Sequence, residues 1–151
     1  MVGRLNGKVA VVTGAAPRGE GVGNGMATAI LFAREGARVV LVNRSAERAE
    51  TLSKQIRDEG GEAAVFAGDV TKADVTEEMA AFTVKTYGRL DILHNNVGVG
   101  AGGNTVTVSL DDWNRLLQTN LTWRCCAAAP ASPGCGRAAA GRSSTCRPPP
   151  A

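Results

Sequence analysis

Acid–base side chains are scarce in this sequence. It holds one tyrosine, Tyr87, and one histidine, His94. No second histidine is available to share a metal ion. Position 91, four residues beyond the tyrosine, is aspartate rather than lysine. The four cysteines, Cys125, Cys126, Cys135 and Cys146, form no C-x-x-C pair, so the spacing of a zinc site is missing and no metal is expected. The first eight residues contain no apolar stretch of the kind a secretory signal needs. No run approaches the ~20 apolar residues of a membrane-spanning helix. The expectation is a cytoplasmic chain with reduced thiols and no membrane partner.

Charge is unevenly spread. The formal net charge is +3, yet residues 1–123 hold 13 basic against 14 acidic side chains, and residues 124–151 add four arginines and no acid. The basic balance is therefore a property of the tail. No basic helix with interleaved aromatics accompanies it, so no nucleic-acid partner is expected. The tail also lacks Lys, Val, Ile, Leu, Met and Phe, and it carries five of the six prolines. It has no large apolar side chains to offset its ordering entropy and is expected to be disordered. Its Ala, Arg, Pro, Gly and Cys bias is also what GC-rich coding sequence yields when read out of frame. Sequencing the gene through codon 123 is then expected to reveal a continuing family pattern in another frame. Two units follow: a folded domain over 1–123 and a low-complexity tail over 124–151.

What the first unit does contain is alternation. Val9–Val12, Arg38–Val42, Ala63–Phe66 and Asp91–His94 are short apolar runs that read as buried strands. Between them lie helical patterns, 26–35, 45–59 and 75–87, closed by Gly36, Gly60-Gly61 and Gly88. Ser109 with Asp112 resembles a capping box for a further helix through Leu116, Leu117 and Asn120. Strand and helix in alternation predict a parallel sheet with crossover helices. In such sheets ligands gather at the carboxyl ends of the strands, where the strand order reverses.

Four segments fall at those ends. The first, 13–25, runs T-G-A-A-P-R-G-E-G-V-G-N-G between a strand and a helix. Glycines there let the backbone approach a pyrophosphate, and the helix start offers free N–H groups. The strict G-x-G-x-x-G spacing is absent, because Thr28 stands at the third position. The second, Asn43-Arg44, lies about twenty residues on, where a ribose-reading residue is expected. An acid there would favour NAD(H), whereas a neutral residue followed by a cation favours the 2′-phosphate of NADP(H). The third and fourth are Gly68-Asp69-Val70 and Asn95-Asn96-Val97-Gly98. His94, in a strand pattern, reads as a satisfied core histidine.

The order of these motifs, followed by Asn120-Leu121 on a helix, resembles the short-chain dehydrogenase/reductase family. The likeness spans roughly residues 5–123. It implies an α/β fold with a Rossmann-type doubly wound parallel sheet, here truncated after about the fourth strand and the following helix. It implies hydride transfer between NAD(P)(H) and an alcohol or carbonyl of a small molecule, and oligomers are usual in the family. Carried over by position, Gly14, Gly21, Gly23 and Gly25 map onto the phosphate loop, Asn43 and Arg44 onto the ribose corner, and Asp69 and Val70 onto the adenine contacts. Asn96 and Gly98 map onto the cofactor-ribose region. Asn120 matches the catalytic asparagine, which in the family holds a water near a lysine. The family's Ser and Tyr-x-x-x-Lys have no counterpart in this sequence. Loss of acid–base catalysis alone removes about 10²–10⁴-fold in rate, so this chain is expected to be inactive by itself. A nucleotide-binding pseudo-enzyme and an unstable translation product are the alternatives.

Overall fold

The computed structural model describes residues 3–17, 19–100, 102–104 and 106–122. Residues 124–151, expected to be a disordered or out-of-frame tail, lie outside this set. The described chain runs β1 (Val9–Thr13), α1 (Asn24–Arg34), β2 (Arg38–Asn43), α2 (Ala46–Asp58), β3 (Glu62–Ala67), α3 (Ala73–Tyr87), β4 (Ile92–His94) and α4 (Leu110–Leu117), with a π-helical turn, Gln118–Thr122, extending α4. The four strands form one sheet in the order β3-β2-β1-β4. Every pairing is parallel, with Val11 opposite Val40 and Leu93, and Leu41 opposite Val65.

The period-two pattern divides the core. Ala10, Val12, Val39, Leu41 and Ala63 meet Ala29 of α1 and Ala49, Leu52 and Ile56 of α2 on one face. Val11, Val40 and Val42 meet Met79 of α3 on the other. Apolar runs are continuous because both faces of the sheet are covered. Full burial of each large apolar side chain stabilises the fold by roughly 1.5–3 kcal/mol. Helix ends follow the side-chain chemistry. The Ser45 hydroxyl accepts from the Arg48 N–H at the start of α2, and Gly88 ends α3 in the left-handed region at φ 82°. At α4, the Ser109 hydroxyl accepts from the Asp112 N–H at 3.1 Å and donates to the Asp112 carboxylate at 3.0 Å.

The start of β4 is pinned to β1. The Asp91 carboxylate accepts from the Val9 N–H at 2.8 Å, and the Asp91 N–H donates to the Val9 carbonyl at 2.9 Å. Arg89 binds the same carboxylate. Burial pushes this carboxyl up, but the Val9 N–H, the Arg89 hydrogen bond and nearby positive charge outweigh it and hold it below its ordinary 3.8. A group depressed in the folded state adds stability that is complete above its unfolded pKa and is lost as pH falls through the folded one. Asp91→Ala should therefore cost about 1–2 kcal/mol at neutral pH. Urea denaturation of both proteins should show that difference shrinking below pH 4. A difference that persists undiminished to pH 2 would refute the assignment.

Candidate functional site

The strand order reverses between β1 and β4, and the chain's polar ends converge there. Gly14 leaves β1 with φ +61°, a conformation that favours glycine. Its carbonyl lies against the first turn of α1: a Cβ on Gly25 would stand 2.3 Å from the Gly14 oxygen and 2.7 Å from Asn96 Nδ2. Only hydrogen fits between these segments. Asn96 Nδ2 donates to the same carbonyl at 3.2 Å. Thr13, fully buried, completes the seam. Its hydroxyl donates to the His94 carbonyl at 3.2 Å and accepts from the Asn96 N–H at 3.0 Å.

The second loop residue set is held from β2. Asn43 Nδ2 donates to the Ala16 carbonyl at 3.0 Å, and its Oδ1 accepts from the Ser45 N–H at 3.5 Å. Asn43 thus anchors the glycine turn, and Arg44 follows it at the end of β2. Arg44 reaches toward Asp69, with Nη1–Oδ2 at 3.8 Å, and more than half of its side chain is exposed. Burial pushes the Asp69 carboxyl up. The Thr71 hydroxyl and N–H, with Arg44 and Lys72, more than offset that and hold it below its ordinary range. Asp69 is therefore a carboxylate at neutral pH.

Asn120 sits in the π-helical turn and clamps the segment after β4. Its Oδ1 accepts from the Val99 N–H at 2.9 Å and its Nδ2 donates to the Val99 carbonyl at 2.8 Å. A Cβ on Gly98 would meet Asn120 Oδ1 at 3.0 Å, so the glycine makes room for the clamp.

Together these elements enclose a cleft of about 610 Å³ at the carboxyl edge of the sheet. Gly14, Gly23, Gly25, Asn43, Arg44, Asp69, Val70, Asn96 and Gly98 line it. Gly21 does not. It is exposed, at φ +95°, and a Cβ added there would meet no atom within 4 Å, because the inserted stretch of the loop bulges into solvent. Asn120 reaches the site through Val99. His94 differs from the sequence expectation: it packs edge-on to Phe32 at 6.2 Å, and its buried Nε2 has no partner among the described residues. Sequence reasoning took Thr13 only as the start of the glycine turn and missed its place in the seam, and it missed Thr71, Arg115 and Thr119. A buried threonine ending an apolar strand was the one available signal for the first. The others depend on how α4 and the β3 loop fold back over the cleft.

Sheet order, switch-point cleft and glycine turn define a Rossmann-type α/β fold. The chain belongs to the short chain dehydrogenase family, whose model matches residues 8–141. It is 40% identical over 119 residues to the D-threitol dehydrogenase of Mycolicibacterium smegmatis, covering 79% of this chain and 44% of that one. It is 36% identical over 118 residues to a 3-oxoacyl-(acyl-carrier-protein) reductase of Thermotoga maritima, covering 78% of this chain and 46% of the relative. The structure of a metagenomic short-chain oxidoreductase in complex with NADP superposes with a TM-score of 0.72 at 37% identity, covering 82% of this chain and 54% of that one. The chain spans about half the length of the curated relatives it matches.

Thr13→Val keeps the shape of the seam and removes its hydroxyl. The Asn96 N–H then loses its acceptor, at a cost of about 1–3 kcal/mol, while Thr13→Ser should retain most of the stability. Thermal unfolding of the three proteins decides the matter, and an unchanged valine variant would show that the seam is not a structural requirement.

Proposed function

We propose that this chain forms the cofactor-binding part of an NADP(H)-preferring oxidoreductase acting on a small alcohol or carbonyl compound. One observation carries the reading. The start of α1 opens onto the cleft with no side-chain cap at Gly23 and no acid in its first turn. Unused N–H groups and the positive end of the helix dipole therefore face a space of dinucleotide size. The residues fit such a group. Gly14, Gly23 and Gly25 keep the backbone bare there, Arg44 lies where a 2′-phosphate would sit, and Asp69 and Val70 edge the adenine side. The nicotinamide ring, when bound, supplies or accepts the hydride.

Proton transfer at the substrate oxygen is a separate requirement, and among the described residues no group is set up for it. The chain's one tyrosine ends α3 beneath the Arg38 guanidinium, 5.2 Å from the ring centre, at the edge of the sheet opposite the cleft. Among the described residues, the charged side chains lining the cleft are the guanidiniums of Arg44 and Arg115 and the carboxylate of Asp69, none of them suited to donating a proton at neutral pH. That arrangement favours a second reading of the 151-residue chain by itself: dinucleotide binding without turnover.

Fluorescence titration of the purified chain should give tighter binding of NADPH than of NADH. Arg44→Ala should weaken NADPH by about 1–2 kcal/mol, an exposed charge-assisted bond being worth less than a buried one, and should leave NADH nearly unchanged. Equal affinities in the parent chain would overturn the cofactor preference. The same preparation should show no steady-state oxidation or reduction across secondary alcohols and ketones. Robust turnover would overturn the second reading.

A further inference from the structure

Among the described residues the sheet ends at β4. The Asp91 N–H bonds to the Val9 carbonyl, so the period-two pleat turns the next N–H groups in alternation, those of Ile92 and His94, away from β1. The side chains of β4 are nonetheless packed on both faces. Ile92 joins the cluster of α1 and α2, and Leu93 joins the cluster of α3. β4 is thus an interior strand by its packing and an edge strand by its pairing. Two buried side-chain atoms at its end, His94 Nε2 and Asn95 Oδ1, have no hydrogen-bond partner among the described residues. Buried polar atoms are normally paired, and both of these fall in one short segment of the open edge. A second sign lies on α4. Leu110, Trp113 and Leu117 recur at helical spacing and are 73%, 47% and 40% exposed. None of the three lines the cleft, whereas Arg115 of the same helix does. At roughly 100° per residue the apolar stripe lies on the flank away from Arg115.

We propose that the open edge of β4 and the stripe of α4 dock the complementary half of a short-chain dehydrogenase domain carried on a separate chain. An extended apolar segment of that partner adds in parallel beside β4 and brings polar groups to His94 Nε2 and Asn95 Oδ1. An apolar helix of the same partner covers Leu110, Trp113 and Leu117. The choice of occupant has three supports. A doubly wound sheet continues beyond the strand that stands at the switch point beside β1. The curated relatives run to about twice the part of them that this chain spans, so they hold residues for such a continuation. Residues 124–151 hold no Val, Ile, Leu, Met, Phe, Tyr or Trp, and so offer neither the apolar strand nor the apolar helix face. A second copy fits less well. Its β3 edge can pair with β4 only head to tail, which repeats without closing and leaves a free edge on every assembly. Docking at β4 does not depend on whether the cleft takes a dinucleotide.

The test is co-expression of the 151-residue chain with a tagged polypeptide, the part of the Mycolicibacterium smegmatis D-threitol dehydrogenase C-terminal to the matched 119 residues. Light scattering of the purified complex should give one copy of each. Amide exchange at Ile92 and His94 should slow by about tenfold or more relative to the chain alone, since a strand paired on both sides opens less often. Trp113→Glu and Leu110→Glu should each weaken the complex by about tenfold or more. Both residues are exposed and outside the cleft, so the melting curve and the NADPH titration of each variant alone should match the parent. Failure of the two polypeptides to co-purify would overturn the proposal. So would slowing at Ile92 and His94 with rising concentration of the chain alone, which assigns the edge to a second copy. A complex that leaves exchange at β4 unchanged, or that is indifferent to both glutamate variants, overturns it as well. A parent chain that docks its partner but binds neither NADPH nor NADH overturns the dinucleotide reading and leaves this one standing.

Discussion

One carbonyl organises this site. The Gly14 oxygen accepts the Asn96 amide and lies against Gly25, with too little room for a single added carbon. Three segments far apart in sequence, the end of β1, the start of α1 and the turn after β4, are brought together on that atom. Close approach fixes the direction in which α1 leaves the sheet. That direction aims its free N–H groups across the switch point rather than into solvent. The Thr13 hydroxyl does the matching work one residue earlier, where it joins β1 to β4 beyond the last ladder pair, Val12 with His94. Glycine at 14 and 25 and a small hydroxyl at 13 are thus requirements of packing before they are features of a binding site.

Electrostatics in the cleft follow from that geometry. A helix N-terminus carries about half a positive charge, and nothing acidic in the first turn of α1 cancels it. Among the described residues, Asp69 is the one carboxylate lining the cleft, and it is committed to Thr71 and Arg44. Its partners keep it ionised, yet they also spread its charge over donors that a ligand would otherwise have to satisfy. The balance is modest, since Arg44 and Arg115 are both substantially exposed and are screened by salt. On the proposed reading, affinity would come mainly from the backbone at the turn, with the arginines setting which anions are preferred.

How much of this was legible in the sequence depends on the range of the interaction. The strands and helices were, since apolar runs closed by glycine are local signals: β1 to β3 are as read, each extended by a residue or so at its ends, and α2 keeps its Ser45 cap. The glycine turn was legible as a turn between β1 and α1, and Gly14, Gly23 and Gly25 line the cleft, but Gly21 does not. Gly21 carries the same residue type as Gly23 but lies exposed at φ +95°, whereas Gly23 is extended at φ −83° and packs near Pro17 at the start of α1. Asn43 was legible as a residue at the ribose corner, whereas its bond to the Ala16 carbonyl depends on the turn folding back over β2. Asn120 was placed by resemblance. That both halves of its amide would be taken by Val99 could not be read from spacing, because the π-helical turn rotates it out of the register of α4. Arg115 gave no signal at all, since an arginine beside an aspartate three residues away reads as a solvated helix face.

Binding and turnover separate cleanly on this framework. The residues that line the cleft come from the ends of β1 to β3, α1, the segment after β4, and α4 with its π-helical turn. The other side of β4 is different in kind. Its edge is unpaired among the described residues, His94 keeps a buried nitrogen without a partner, and α4 leaves Leu110, Trp113 and Leu117, with Leu121 beyond it, exposed along one stripe. Proton-transfer groups placed on that side would not alter the Gly14 seam, and their absence does not disturb it. Hydride chemistry needs both sides, because a bound nicotinamide without a proton donor gains only proximity. The Gly14 seam and the cleft it shapes therefore do not depend on proton-transfer groups, and binding and turnover can be assayed independently.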